Sequence, residues 1–433
     1  MSTCSKMLRC VSPSYGIIDH TMRIPCISGD PRLVSYGVRS VNLRALTGDD
    51  YEPQGAGCAL NKESAFRAAV GETIERYCSA FVNRDECIYG SYGALSERYS
   101  LAEPSEFSLF HAKQFKDAFF SSVVHPFTVE VELTWTKSYS LTCGSYRYLP
   151  AQCVYLPFSL DKELITMGVS TGLSAHSSFY QAVLNGLYEA VEHDAVAIAW
   201  LQGLSQRKVV IAPWLQQYID GIYPTAYDWH LFDVTTDLQI PTIFGFCLGR
   251  AEYGDFIAVG AAARATYAEA LRKTVREVGQ SVQNFRYLLA QRSGSTACCD
   301  DYRRLNSFDD HSYLYLVSPE AKGMLREWIA QESAWPLAED LRERFADVKE
   351  EVRWAVENVS SRGCEVLVKD LTTVDARQLG LYVVKVFSPQ LVQLSGDYRF
   401  YFKGGRRLYN VPGMLGYPSR GYEELTPFPH PFP

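Results

Sequence analysis

The amino-acid sequence predicts a mixed α/β fold, of the α+β kind, built as one large unit. Helical and strand-like patterns alternate along the chain without separating into blocks, which is typical of mixed folds. The chain has 433 residues, of which 47% are apolar and 21% charged, and this is the composition of a packed globular protein. No stretch rich in Pro, Gly or Ser is long enough to link independent domains. We therefore predict a single domain over residues 1–433.

Charge and hydropathy exclude two classes of partner. The net charge is −7, from 42 Lys and Arg against 49 Asp and Glu, and no basic run occurs, which argues against nucleic acid. No window approaches the roughly 18 apolar residues that a membrane span needs. The first ten residues, MSTCSKMLRC, lack the apolar core of a signal peptide. The sequence thus predicts a cytoplasmic protein that binds neither nucleic acid nor membrane.

Twelve cysteines are scattered along the chain and form no CxxC pair. A chain of this length buries a core without disulfides, and closely spaced zinc ligands do not occur. The pattern favours reduced, mostly buried thiols. The cysteines are Cys4, Cys10, Cys26, Cys58, Cys78, Cys87, Cys143, Cys153, Cys247, Cys298, Cys299 and Cys364.

The predicted elements follow one another in a mixed order. Residues 30–60 carry turn signals in the triplets GDP, GDD and GAG, and the polar residues 294–315 predict a loop. Helical periodicity extends over 61–81, 177–202, 266–290 and much of 320–360. Runs of β-branched and aromatic residues predict strands within 120–170, for example 127–135, and over 241–248 and 256–262.

The first long helix has a charged face. At about 100° per residue, Glu72, Glu75 and Arg76 lie on one side of it. The opposite, apolar side consists of Phe66, Val70, Ile74 and Tyr77. Taken alone, this pattern is typical of a solvated face with a Glu72–Arg76 pair at i,i+4, which contributes only a few tenths of a kcal/mol.

The second long helix is apolar around most of its circumference, which is typical of a buried helix. Gln181, Asn185, Glu189 and Glu192 fall within roughly 80° of one another around its axis. Buried carboxylates must be paired, protonated or bound to cations, and the local sequence offers no Lys or Arg, only His193. A structural ion pair is the alternative, but the pattern favours a cation or ligand site.

The third long helix is plainly amphipathic, and a solvated face is the default interpretation of such a helix. Its apolar side consists of Leu271, Val275, Val278, Val282 and Phe285. Its polar side consists of Glu269, Lys273, Arg276, Glu277, Gln280 and Asn284.

Together the three helices supply five candidate metal ligands with basic side chains among them. Clustered carboxylates suit Mg²⁺, which is commonly held by a few carboxylates and substrate phosphates, and basic side chains suit the phosphates. No Walker sequence, GxGxxG, kinase motif, GxSxG or HExxH occurs, so a nucleotide needs a less common fold. A Cys/His nucleophilic pair stays open. The candidate ligands are Glu72, Glu75, Glu189, Glu192 and Glu277, and the basic residues are Arg76 and Lys273.

The last seven residues alternate proline with bulkier side chains, from Pro427 to Pro433. Alternating prolines favour a polyproline-II-like conformation of about 3 Å per residue, so this tail reaches on the order of 20 Å. A disordered tail and a ligand for a proline-binding module are alternatives. Because the chain stops directly after a proline, we favour a docked tail that delivers the Pro433 carboxylate to a defined place.

Read in order, these segments resemble the YcaO family, in particular the cyclodehydratases that form azolines in ribosomal peptides. Any one motif is weak, whereas all of them in order are specific, and they cover most of the chain. The matching segments are SPSYGII (12–18), GAG (55–57), AVGETIERY (69–77), STGL (170–173), Gln181, EAVEHDA (189–195), ALRKTVREVGQ (270–280), NVP (410–412) and the final Pro-x-Pro-x-Pro.

The resemblance implies a YcaO-type fold in which long acidic-faced helices pack on β-sheets and bind ATP over several Mg²⁺ ions without a Walker loop. It divides the domain into an N-terminal segment (1–60), an ATP-binding core (61–400) and a C-terminal segment (401–433). The implied nucleotide ligands are Glu72, Glu75, Arg76, Gln181, Glu189, Glu192, His193, Lys273, Glu277 and Gln280, and the five glutamates among them are the implied metal ligands.

The resemblance also implies an activity. In azoline-forming members a Cys, Ser or Thr side chain attacks the preceding backbone amide, ATP phosphorylates the resulting oxygen, and phosphate leaves. The carboxylate of Pro433 is then the implied catalytic group. A thioamide-forming member and a non-catalytic scaffold subunit are the alternatives. The chain departs from the family's usual residues at four positions: His193 and Lys273 in place of Arg, Thr171 in place of Asn, and Gln181 in place of an acid.

The implied partners are a ribosomal precursor peptide and a leader-binding protein that resembles the ubiquitin-activating enzymes, because no leader-binding domain is recognisable in this sequence. A flavin-dependent azoline dehydrogenase and a second copy of the chain, forming a homodimer, are further partners that the resemblance allows.

Overall fold

The computed structural model describes residues 7–224, 227–292, 300–330, 335–337 and 345–432, and it confirms the mixed α/β class. The longer helices in these ranges are α1 (Lys62–Ser79), α2 (Phe179–Gln202), α3 (Pro213–Ile222), α4 (Tyr267–Arg292), α5 (Phe308–Val317), α6 (Pro319–Ile329), α7 (Val348–Ser360) and α8 (Arg406–Met414). Shorter helices occur at Arg44–Thr47, Tyr92–Leu95, Ala118–Val123 and Val374–Gln378. In the described ranges, no helix combines the length and the apolar character that crossing a bilayer requires.

The strands form three antiparallel sheets. The strands are β1 (Ile18–Ile24), β2 (Val34–Ser40), β3 (Gln54–Ala59), β4 (Cys87–Ser91), β5 (Glu132–Ser140), β6 (Ser145–Pro150), β7 (Leu173–His176), β8 (Asp228–Asp233), β9 (Thr242–Ala251), β10 (Gly254–Ala263), β11 (Leu367–Asp370) and β12 (Tyr382–Phe387). The first sheet has the order β1-β2-β3 and the second the order β10-β9-β8. The third has the order β4-β5-β11-β12-β7, with β6 paired to β5.

Local sequence explains where the long helices begin. Asn61 precedes α1, and its side chain accepts a hydrogen bond from the backbone N–H of Ser64. Ser178 caps α2 in the same way, and Gly203 ends it with a φ of 69°, in the left-handed region that glycine adopts readily. These caps satisfy backbone groups that the helix leaves without intrahelical partners.

Three helices connect the three sheets. Helix α1 packs on β2 and β3 of the first sheet and on β7 and β12 of the third. Helix α2 packs on β7 and β12 of the third sheet and on β9 and β10 of the second, and α4 packs on β9, β10 and β3. Almost every residue of α2 after Ala182 is buried. The acidic faces of α1, α2 and α4 are therefore brought toward the interior between the sheets.

Some predicted elements were wrong in detail. The turn-rich stretch 30–60 contains β2 and β3, because small residues let β3 lie against α1 as an ordinary strand. The strand predicted over 127–135 begins only at Glu132. The loop predicted over 294–315 contains α5, while its first residues lie outside the described ranges. The predicted division at residues 60 and 400 stays a prediction.

The cysteines of the described ranges are all free thiols. Cys10, Cys78, Cys153, Cys247 and Cys364 are buried, which agrees with the expectation of inert thiols. Burial raises the pKa of Cys153 to about 12. The other described cysteines are half-buried or exposed, and Cys4, Cys298 and Cys299 lie outside the described residues.

Candidate nucleotide site

The acidic residues of α1, α2 and α4 form one row across the sheets on which these helices pack. Each carboxylate in the row lies close enough to the next to be influenced by its charge. The structure thus brings together all the predicted metal ligands, although their role as ligands stays a prediction. The order along the row is Glu72, Glu75, Glu189, Glu192 and Glu277.

The outer end of the row is the ion pair that the helical spacing predicts. Glu72 Oε1 accepts a hydrogen bond from Arg76 Nη2 at 2.7 Å, and Glu72 Oε2 accepts from the backbone N–H of Ala56 at 2.6 Å. Arg76 also donates to the carbonyl oxygen of Gln54. The two charged side chains are 33% and 35% exposed, so this pair joins α1 to β3 and remains within reach of a ligand.

Glu75 follows Glu72 one turn along α1 and is half-buried. Its Oε1 accepts a hydrogen bond from the backbone N–H of Ala175 in β7 at 2.6 Å. Burial raises the pKa of Glu75 to about 8, and the charges of Glu72 and Glu189 raise it further against the effect of that hydrogen bond. A carboxylate whose pKa is raised by burial is stabilised when a cation binds to it.

Glu189 is hydrogen-bonded to the loop before β7, and its charge interacts with that of a buried lysine. Its Oε2 accepts a hydrogen bond from the backbone N–H of Gly172 at 3.1 Å. Burial raises the pKa of Glu189 to about 7, and the charge of Lys385 on β12 opposes this shift. Burial also lowers the pKa of Lys385 to about 8, which the charge of Glu189 opposes in turn.

Glu192 and Glu277 share one lysine. Glu192 Oε2 accepts from the backbone N–H of Ala263 at 3.3 Å and lies 3.8 Å from Lys273 Nζ. Lys273 also forms an ion pair with Glu277, one turn further along α4. Burial raises the pKa of Glu192 to about 8; the charge of Lys273 opposes the shift and that of Glu277 adds to it. Gln280 follows on the same helix and is half-buried.

Two predicted nucleotide ligands on α2, Gln181 and His193, form side-chain hydrogen bonds within the protein, and their role in nucleotide binding stays a prediction. Gln181 Nε2 donates to Asn185 Oδ1 at 3.1 Å near the start of the helix. His193 is buried, with its Nδ1 2.8 Å from Thr171 Oγ1. Burial lowers the pKa of His193 to about 3, and the nearby His430 lowers it further, so the ring is neutral and offers a phosphate no positive charge.

The donor set fits Mg²⁺ together with a polyphosphate. In the part of the chain that the structure describes, no three Asp, Glu, His or Cys side chains converge as a closed metal site. Mg²⁺ does not require one, because it usually keeps several waters and binds one or two carboxylates plus substrate phosphates. A row of desolvated glutamates interspersed with Arg76 and Lys273 offers both kinds of contact.

Sequence reasoning missed two basic residues beside the row. Lys385 is the only charged residue within the apolar strand β12, and this interruption was the available signal. Arg264 follows β10 directly; its guanidinium lies 5.4 Å from the centre of the Tyr188 ring, and its charge acts on Glu192. The pattern of a single helix or strand cannot show that Arg264 lies near Glu192 or that Lys385 lies near Glu189.

The C-terminal tail is docked along α2. Trp200 Nε1 donates to the carbonyl oxygen of Phe428 at 3.0 Å, and the Tyr315 hydroxyl donates to that of Pro429 at 2.6 Å. Phe432 packs edge-to-face on His193, with ring centres 5.5 Å apart. The predicted catalytic residue Pro433 lies outside the described residues, and its role stays a prediction.

Known structures place this fold among heterocyclases. A heterocyclase in complex with substrate and cofactor has a TM-score of 0.78 and 24% identity, with 99% of this chain and 57% of that chain covered. The heterocyclase TruD has a TM-score of 0.64 and 25% identity over 86% of this chain and 51% of that chain. YcaO from Methanopyrus kandleri, bound with AMPPCP and Mg²⁺, has a TM-score of 0.62 and 17% identity over 87% and 86%.

This chain therefore spans little more than half the length of the two heterocyclases. No curated protein sequence matches it. A family model described as YcaO cyclodehydratase, ATP- and Mg²⁺-binding, matches residues 56–392, which include all five glutamates of the row. The chain belongs to the YcaO cyclodehydratase family.

Proposed function

We propose that this protein is an ATP-dependent cyclodehydratase that converts Cys, Ser or Thr residues of a ribosomal precursor peptide to thiazolines or oxazolines. The observation that carries the proposal is the row of five glutamates, with Lys273 and Lys385 beside it, in a chain without a Walker loop. Family membership and the similarity to TruD support the same reaction class. Bound ATP would supply the phosphoryl group that makes the amide oxygen a leaving group.

The residues of the row would hold the reactants. Glu75, Glu189 and Glu192 would hold Mg²⁺, because desolvation and the neighbouring carboxylates disfavour their negative charges in the protein alone. Arg76 and Lys273 would donate hydrogen bonds to phosphate oxygens.

The peptide chemistry balances as a dehydration. The side-chain sulfur or oxygen forms a bond to the carbonyl carbon of the preceding amide and loses its proton. The new carbon–sulfur or carbon–oxygen bond closes the ring. The former amide oxygen then leaves with the phosphoryl group as phosphate, the amide nitrogen loses its proton, and a carbon–nitrogen double bond forms. The peptide loses one water for each ring formed, while ATP becomes ADP and phosphate.

Peptide-dependent ATP turnover and product mass test this function together. Replacing Glu75 or Glu192 with Gln should lower turnover by about 10²-fold or more, because each change removes charge that binds the metal and phosphates. Glu63→Gln is the matched control on α1, since Glu63 is exposed and pairs only with Arg67. Wild-type turnover in Glu75→Gln and Glu192→Gln would contradict the proposed site.

The mass of the product separates the alternative functions. Loss of one water per modified residue supports ring formation, whereas exchange of oxygen for sulfur identifies a thioamide-forming enzyme. Absence of ATP turnover with an intact precursor and its partner proteins identifies a scaffold subunit. The neutral His193, which stands where the family usually has Arg, is the observation that keeps the scaffold alternative open.

We further propose a leader-binding partner of the ubiquitin-activating-enzyme type and a precursor peptide as the substrate. The heterocyclases with the same fold are much longer than this chain, so they contain regions that this sequence does not match. A flavin-dependent azoline dehydrogenase would act after the ring forms, because an azoline is oxidised to an azole by removal of two electrons and two protons. A homodimer is a further assembly that this proposal includes.

A further inference from the structure

A single lysine interrupts the apolar strand β12, whose sequence is YVVKVF. Lys385 lies in the interior of the third sheet, because β11 and β7 pair with β12 on its two sides. The residue is 2% exposed. A buried ammonium group is costly unless it is hydrogen-bonded and neutralised, so the partners of Lys385 indicate what it does.

Lys385 and its neighbour hold the short segment 169–172 of the loop before β7. Lys385 Nζ donates to the carbonyl oxygen of Val169 at 2.7 Å. The backbone N–H of Val386 donates to the carbonyl oxygen of Gly172 at 2.8 Å. The backbone N–H of Gly172 in turn donates to Glu189 Oε2. The segment is thus fixed between β12 and the acidic row.

The same segment is packed too tightly to move independently. Gly172 has a φ of 83°, and a Cβ atom there would lie 2.0 Å from the carbonyl oxygen of Val386. Thr171, the preceding residue, contacts His193. A shift of Val169 would therefore move the group that orients the Glu189 carboxylate. Lys385 also supplies a positive charge that acts on Glu189.

We propose that Lys385 is a positioning residue of the nucleotide site: it fixes segment 169–172, whose Gly172 N–H holds the Glu189 carboxylate that would bind Mg²⁺ with ATP. The inference rests on the proposed function only in that it assumes a Mg²⁺-nucleotide ligand. It does not depend on which peptide chemistry follows.

Calorimetry with Mg²⁺ and a non-hydrolysable ATP analogue tests the role of Lys385 without requiring turnover. Lys385→Met should weaken binding by about 10- to 100-fold, the range found when residues that orient metal ligands are removed. Lys385→Arg keeps the charge and a donor and should recover most of the lost affinity. If the cyclodehydratase proposal alone is wrong, the wild-type protein will bind the ATP analogue normally but will not modify the peptide.

Lys369 provides a matched control. It lies directly opposite Lys385 on β11, is also buried at 4% exposure, and also donates to a backbone carbonyl, that of Lys137. Its acidic partner is Glu86, outside the row. Lys369→Met should therefore leave analogue affinity unchanged. If it weakens binding as much as Lys385→Met, the effect is general to the sheet and the proposal is wrong.

Hydrogen exchange of the backbone amides gives a second, positional readout. Exchange at Gly172 and Leu173 should accelerate in Lys385→Met and stay slow in Lys369→Met, because only the first substitution frees Val169. If Lys385→Met fails to fold, Lys385→Gln replaces it, and its affinity should follow its exchange: slow exchange at Gly172 with wild-type affinity means that the amide still holds Val169. Wild-type affinity together with accelerated exchange at Gly172, or unchanged exchange in a folded Lys385→Met, would overturn the proposal.

Discussion

Glu75, Glu189 and Glu192 lie where the protein disfavours a negative charge. Their pKa values are raised from the ordinary 4.5 to about 8, 7 and 8, mainly by burial. Since folded pKa values lie above unfolded ones, the stability that these groups contribute is full below about pH 4.5 and is lost as the pH rises through about 7 to 8. These three groups should therefore make the ligand-free protein less stable at pH 8 than at pH 6.

The loss of stability at higher pH leads to a prediction for Glu192→Gln. Without nucleotide, the variant should unfold at or above the wild-type temperature at pH 8, because the amide removes a buried charge that Glu189 and Glu277 repel. Thermal unfolding at pH 6 and pH 8 measures the effect, which should be larger at pH 8. A clear loss of stability at both pH values would show that the pair with Lys273 outweighs the desolvation of Glu192.

A second prediction concerns the close approach of α2 to segment 169–172. A Cβ atom on Gly186 would lie 2.6 Å from the carbonyl oxygen of Gly172 and 2.9 Å from Val386 Cγ2. Gly186→Ala should thus lower the free energy of unfolding by about 1–3 kcal/mol, as overpacking does. Urea unfolding measures this change, and affinity for the ATP analogue should fall with it.

The matched control for Gly186→Ala is Gly221→Ala in α3. A Cβ atom there meets no atom within 4 Å, so only the helix propensity changes. This variant should be more stable by about 0.5–1 kcal/mol. If Gly186→Ala is as stable as the wild type, α2 and β12 can move apart without a loss in the free energy of unfolding, and the prediction is wrong.

At the scale of elements, helical periodicity was a better guide than local turn signals. The predicted helix over 61–81 is α1, and those over 177–202 and 266–290 are α2 and α4, because each has a long apolar stripe and, for α1 and α2, a polar N-cap. The glycines of β3 predicted a turn. They lie in a strand instead, because β3 packs on α1. The hydrophobic pattern of one element could not show that segment 169–172, before β7, is held by contacts with β12.

The tail is the element for which deletion gives the sharpest prediction. Removing Phe432 and Pro433 should lower cyclisation by about 10²- to 10⁴-fold if Pro433 acts as a positioned acid–base group. The Michaelis constant for ATP should change far less, because the row of glutamates lies on α1, α2 and α4. Peptide mass spectrometry and ATP titration measure the two effects separately.

Phe428→Ala controls for general damage to the tail. The Phe428 ring is only half-buried and packs beside Tyr302, while the hydrogen bond from Trp200 goes to the backbone of Phe428 and is retained. This variant should keep most of its activity. If the variant without Phe432 and Pro433 cyclises the peptide at the wild-type rate, the end of the tail has no catalytic role and only packs against the protein.

At the scale of the whole molecule, the candidate site could be predicted only in part. Each of the five glutamates was identified from one helical face, because amphipathic spacing shows which carboxylates lie together on one helix. The same spacing carries no information on burial by other sheets, so the neutral state of His193 and the roles of Arg264 and Lys385 required the folded chain.

Dependence on a partner is the prediction at this scale. The purified chain alone should modify a full-length precursor slowly, and a leader-binding partner of the ubiquitin-activating-enzyme type should raise the rate by orders of magnitude. Mass spectrometry of the precursor with and without the partner measures the difference. A precursor without its leader is the control and should gain nothing from the partner. Full activity of the chain alone would refute the dependence.

The position of β12 in the third sheet has a consequence for the order of events during synthesis. This strand, at residues 382–387, lies between β11 and β7, and β7 ends two hundred residues earlier in the sequence, at His176. The glutamates of α1 and α2 are synthesised long before Lys385, which fixes the segment that holds Glu189. Nucleotide binding should thus be among the last properties that the growing chain acquires, and its onset would report that translation has passed β12.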